Sequence, residues 1–126
     1  MNLAKERVKI IGWEQDFPII LLKEIEEQTA ETSSLLWDEA ANLSNDKPFY
    51  LIVDLSESSP PKRDVRVTVK EKYLNMRSAI LSTYVYVGNK PLMWITTKFI
   101  ISAARAKNVH LINDIPAGLE MIKNNN

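Results

Sequence analysis

The chain has 126 residues, 45% hydrophobic and 25% charged, which is ordinary for a water-soluble globular chain. Leu, Ile, Val and Phe supply 37 of the 126 residues, well above the roughly 20% below which disorder is expected. With no cysteine and one histidine, His110, the sequence excludes disulfides, thiolate metal sites, cysteine nucleophiles and multi-histidine metal centres. The formal net charge is zero, yet the charges are segregated. Residues 14–46 hold nine acids and one base, whereas residues 47–126 hold twelve bases and six acids. Such asymmetry marks either attraction between two parts of one fold or a partner surface.

In chain order, Arg7–Trp13 and Pro18–Lys23 predict a β-hairpin around the polar turn Glu14-Gln15-Asp16. A helix is expected from about Thr29 to Leu43, capped by Thr29 or Thr32, with Leu36, Ala40 and Leu43 inward. Proline at 48 ends it. Phe49–Leu55 is a near-continuous apolar run, as expected for a central strand covered on both faces. It stops at the turn-forming Ser56-Glu57-Ser58-Ser59-Pro60-Pro61. Residues 62–81 fit a helix through Val65, Val69, Tyr73, Met76 and Ile80, although Val65, Val67 and Val69 also alternate as a strand would. Thr83–Val87 predicts a strand closed by Gly88, and Pro91 opens a helix reaching about Lys107. Val109–Ile112 is the last strand. A short helix, Ala117–Lys123, follows it with Asp114 as cap, and 124–126 reads as a frayed tail.

The expectation is a single α/β domain over 1–126, in the order β-β-α-β-α-β-α-β-α, with a mixed, mostly parallel sheet. Neither a signal peptide nor a stretch of the ~20 apolar residues that span a bilayer is visible, so a cytoplasmic protein is expected.

Three short strings carry a family resemblance. They are Tyr50-Leu51-Ile52-Val53-Asp54-Leu55-Ser56, Tyr86-Val87-Gly88-Asn89 ahead of an apolar helix, and Val109-His110-Leu111-Ile112-Asn113-Asp114 ahead of a short one. Together with the element order they resemble the STAS-like superfamily, best known for bacterial anti-anti-sigma factors. The resemblance implies a STAS-like fold and regulation through protein binding. In phosphorylated members, a serine in an Asp-Ser-Ser-Gly motif opens the second helix. Here that position reads Arg63-Asp64-Val65-Arg66, and Glu57-Ser58-Ser59-Pro60 lies too close to the strand end. The chain therefore resembles a divergent, phosphorylation-independent member.

Four groups of residues are candidates for function. Asp54, Ser56, Ser58 and Ser59 cluster at the carboxyl end of a central strand, where open α/β sheets bind ligands. The alternative is that Asp54 caps backbone donors and the serines form a turn. Arg63, Arg66, Lys70 and Arg77 make a basic stripe, read chiefly as a solvated face. No nucleic-acid partner is expected, because aromatic interleaving is missing. Val67, Leu74 and Leu81 recur every seven residues off the core face, and Met93, Trp94 and Ile101 lie beside the 91–107 helix's main stripe of Leu92, Ile95 and Phe99. These six are the expected cover for a second subunit. His110 lies too early in its strand for a triad with Ser58 or Ser59. The expected function is thus a non-catalytic regulatory domain acting as a homodimer, with no metal and no cofactor. The alternative is a module holding a small apolar or lipid-like ligand among Met76, Met93, Trp94 and Ile101.

Overall fold

A computed structural model describes residues 2–103 and 108–124. It contains one five-stranded sheet, in the order β1-β2-β3-β4-β5, with helices on both faces. The chain begins with a helix that the sequence reading lacked, α1 (Leu3–Arg7), so the order is α-β-β-α-β-α-β-α-β-α. The Asn2 side chain caps it by accepting the Lys5 N–H at 3.3 Å. A single turn has almost no intrinsic stability. Tertiary packing holds it, because Leu3 and Ala4 lie against the core.

The expected hairpin follows as β1 (Val8–Glu14) and β2 (Phe17–Lys23), turning at Gln15 with φ of 57°. The register shifts between Ile10 and Gly12, which leaves Ile11 outside the ladder and exposed. Strand β2 then pairs in parallel with β3 (Phe49–Asp54), β3 with β4 (Ile80–Tyr86), and β4 with β5 (Val109–Ile112). The sheet is mixed, with β1 alone antiparallel.

Consecutive parallel strands joined by right-handed crossovers send their helices to one face. That face holds α1, α2 (Ala30–Ser44), α3 (Arg63–Met76) and α4 (Pro91–Ala103). Leu36, Trp37 and Ala40 of α2, Val69 and Tyr73 of α3, and Met93 of α4 pack there onto Leu22, Leu51, Val53 and Val85. The opposite face carries α5 (Ile115–Asn124), whose Ile122 and Leu119 pack on Ile19, Tyr50, Ile52, Tyr84 and Ile112. Strand β3 lies between both layers and all six of its residues are buried, in line with its continuous apolar run. A Cβ on Gly118 would come within 2.8 Å of Ile112 Cδ1, so a larger residue there would force the Ile112 side chain to shift.

Helix α2 begins where expected. Thr29 and Thr32 form a reciprocal capping box, with each side chain accepting the other's backbone N–H at 3.0 Å. Asp114 caps α5 by accepting the Ala117 N–H at 2.7 Å, so the helix starts two residues earlier than expected, at Ile115, and runs one further, to Asn124. Residues 65–69 are helical, as the longer period indicates. The helix expected over 62–81 ends at Met76, however, and β4 begins at Ile80 rather than Thr83. The Ala79 N–H donates to the Met76 carbonyl at 2.9 Å, and the Ala79 carbonyl accepts the Phe49 N–H at 3.0 Å. A turn thus feeds the chain directly into the ladder beside β3. Leu81 is consequently a strand residue against the α5 layer, not part of a helix face, and Arg77 lies beyond the last helical residue. The expected extension of α4 to Lys107 falls on residues 104–107, outside the described residues.

Candidate interaction site: the carboxyl edge and the outer helix surface

The loops following β2, β3 and β4 meet at the carboxyl edge of the parallel strands. Asp54, at the end of β3, is buried, and its Oδ1 accepts the Ser56 N–H at 2.9 Å. This is the backbone-capping role weighed for it above. The Leu55 N–H donates to the Tyr86 carbonyl at 2.7 Å and extends the ladder by one bond. Gly88 adopts φ of 69°, and a Cβ there would lie 3.2 Å from the Ser56 Cβ. The β4–α4 turn can therefore press against the β3–α3 loop.

Ser58 is wholly buried, and its hydroxyl donates to the Ile25 carbonyl at 3.0 Å. Its own carbonyl accepts from the Lys90 ammonium at 3.0 Å. Ser59 is exposed, but its backbone is engaged: the N–H donates to the Glu26 carbonyl and the carbonyl accepts from the Gln28 side chain. Glu57 pairs with Lys23 at 2.7 Å and with Arg7 at 3.5 Å. The Lys23 hydrogen bond and charge hold the Glu57 carboxyl below the usual range. The four residues singled out from sequence thus come together, as a brace between three loops.

A buried carboxylate beneath this brace escaped the sequence reading. Glu24 is 2% exposed, just past β2, and its backbone N–H donates to the Asp54 carbonyl at 3.0 Å. Its Oε2 accepts from the Ser33 hydroxyl at 2.9 Å and its Oε1 from the Ile25 N–H at 3.2 Å. Burial pushes its pKa up, and the two hydrogen bonds and the Arg7 charge only partly oppose this. In the sequence Glu24 is one acid in a run of nine. Its one distinguishing signal is position, immediately after an apolar strand rather than within the polar stretch that follows.

His110 is half-buried on β5 and stacks on Tyr84 with ring centroids 5.4 Å apart, away from Ser58 and Ser59. Among the described residues, no group of three or more His, Asp and Glu could hold a metal ion. No described helix is long and apolar enough to cross a membrane.

The outer surface of the helical layer has a different character. In α4, Met93 is 2% exposed and Trp94 packs against the core, while Leu92 and Ile95 are each 65% exposed. Of the expected interface trio Met93, Trp94 and Ile101, Met93 is corrected to a core residue, while Trp94 and Ile101 are half-buried, with Trp94 packed on that core. Helix α4 is apolar nearly all round, so periodicity alone does not tell which stripe meets the sheet. Val67 and Leu74 of α3 are exposed, as is Leu35 of α2. Arg63, Arg66, Lys70 and Arg77 are exposed too, and no ion pair among the described residues includes them. Arg66 donates to the Pro61 carbonyl at 2.9 Å.

No family model and no curated protein matches the chain.

Proposed function

We propose that the protein is a non-catalytic regulatory domain of the STAS-like kind, acting through protein contacts on its outer helix surface and as a homodimer. One contrast supports this reading. The polar groups at the carboxyl edge are held in internal hydrogen bonds, whereas among the described residues five large apolar side chains project from α2, α3 and α4. Apolar side chains left exposed on neighbouring helices of one layer are candidates for a contact surface. Ser58, with its hydroxyl buried on Ile25, fits the phosphorylation-independent form of the reading. A phosphate there would have to break open the loop.

Sedimentation equilibrium from about 1 to 100 µM tests the homodimer, since specific contacts of standard size reach micromolar affinity or better. The expected result is a monomer–dimer equilibrium within that range. A single monomeric species throughout would overturn it.

A further inference from the structure

We infer that the second copy docks α2 against α3, about a twofold axis running parallel to those helices. The inference rests on the homodimer reading and specifies its geometry.

Helices α2 and α3 are neighbours in one layer and run in the same direction, because each returns along the sheet between parallel strands. The outward side of α2 carries Glu31, Asp38 and Glu39 around the exposed Leu35, with no base in the helix. The outward side of α3 carries Arg63, Arg66 and Lys70 around the exposed Val67 and Leu74. It also holds Asp64 and Glu71 but stays net positive. The segregated charge of the sequence therefore becomes two adjacent stripes of opposite sign, each with an apolar centre. In a twofold dimer, a patch that touches a second patch is touched by it in return. An axis across the helices would lay acidic α2 on its own copy. An axis along them lays α2 on the partner's α3, twice over, and charge selects this one.

The same axis fixes the register. Rotation about it leaves height along the helices unchanged. The Lys72–Asp38 ion pair, at 2.7 Å, places those two residues within a side chain's reach, about one helical turn, of each other. Counting back at about 1.5 Å per residue, Glu31 stands within about one turn of Val65, a span that includes Arg63 and Arg66. Leu35 stands within about one turn of Val69, a span that includes Val67 and Lys70. Across the axis, Glu31 would meet the basic start of the partner's α3, and Leu35 its Val67. The exposed Leu92 and Ile95 of α4 lie outside this contact and stay open to another protein.

The test is a charge swap, read by sedimentation equilibrium of the full chain at about 50 mM salt, where surface charge is least screened. Glu31→Lys and Arg63→Glu should each weaken the dimer about tenfold, and the two together should restore it to within about threefold of the wild type. Circular dichroism confirms that each variant is folded. A dimer indifferent to both single changes, or weakened by each without recovery in the pair, overturns this geometry and leaves the homodimer reading standing. A chain that stays monomeric overturns both. A monomer that pellets with phosphatidylserine vesicles, and loses this with Arg63→Glu, would assign the basic stripe to an anionic lipid surface instead.

Discussion

The carboxyl edge and the outer helix surface invert the usual division between inside and outside. At the edge, Glu24, Ser33, Asp54 and Ser58 are polar and buried. On the outer surface, Leu35, Val67, Leu74, Leu92 and Ile95 are apolar and exposed. Buried polar groups are tolerated when hydrogen-bonded, and here the bonds tie three loops together. Apolar groups left largely in water gain less from folding. The first set thus serves the stability of the chain more than the second does. A substitution at the edge should cost stability, and one on the outer surface should not.

The largest effect should appear within α4, where the buried apolar Met93 is the chain neighbour of the exposed Leu92. Met93→Ala removes a fully buried side chain and should cost about 2–5 kcal/mol, as large-to-small core changes do. Urea unfolding with an unchanged slope would measure it. A cost below about 0.5 kcal/mol would mean that α4 does not seat this stripe on the sheet.

Next comes Ser33→Ala, which strips the hydroxyl from a buried carboxylate. Leaving one partner of a buried hydrogen bond unsatisfied costs about 1–3 kcal/mol, and a loss in that range is expected. The sign of the pH dependence follows from Glu24. Its folded pKa is raised above the ordinary 4.5 by burial, so the folded state takes up the proton more readily than the unfolded one. The stability linked to that proton is fully present below pH 4.5 and lost as pH rises through the raised value. Glu24→Gln, which is uncharged and keeps polar atoms at both positions, should therefore gain on the wild type as pH rises across that window. Parallel stability profiles for the two proteins from pH 4.5 upward would contradict the assignment.

Much of the layout was legible in the sequence, and the failures have physical causes. The Thr29 cap, the continuous β3 run and the Asp114 cap are local signals, and local chemistry decides those boundaries. The end of α3 was not legible. Arg77-Ser78-Ala79 contains neither glycine nor proline, and Ile80 continues the helical stripe, so only pairing with β3 shows that the chain has become a strand. Helix α1 is one turn long and depends on packing that no local pattern reveals. At the candidate site, Asp54 and the serines could be placed because they follow a strand of unmistakable type. Glu24 could not, because an acid within an acidic run reads as solvated until Ser33, nine residues later, is seen to reach it.

Within the β3–α3 loop, the serines sharpen the contrast on a smaller scale. Ser58→Ala leaves the Ile25 carbonyl without its donor in a buried setting and should cost about 1–3 kcal/mol. Ser59→Ala touches only a side chain in water, since the bonds of residue 59 are made by its backbone, and should stay within about 0.5 kcal/mol. Equal effects from the two would show that the Ser58 hydroxyl does not hold the loop.

The smallest effect is expected at Ile95, and there a null result in stability is the informative one. Ile95 is 65% exposed on the outer side of α4, two residues from the buried Met93. Replacing it with serine removes a branched apolar side chain that folding leaves largely in water, so the hydrophobic term is nearly unchanged. The exchange also replaces a β-branched residue with one of similar helix propensity. Stability should shift by no more than about 0.5 kcal/mol. The dimer contact proposed through α2 and α3 does not include α4, so the change should leave it unaffected as well. An Ile95→Ser protein that unfolds at the wild-type urea concentration and dimerises with the wild-type Kd, but loses a partner the wild type retains, would place regulatory binding on α4. A loss of more than about 1 kcal/mol would instead show that Ile95 is covered within the folded chain, and the division between a bracing edge and an unbraced surface would fail at its outermost residue.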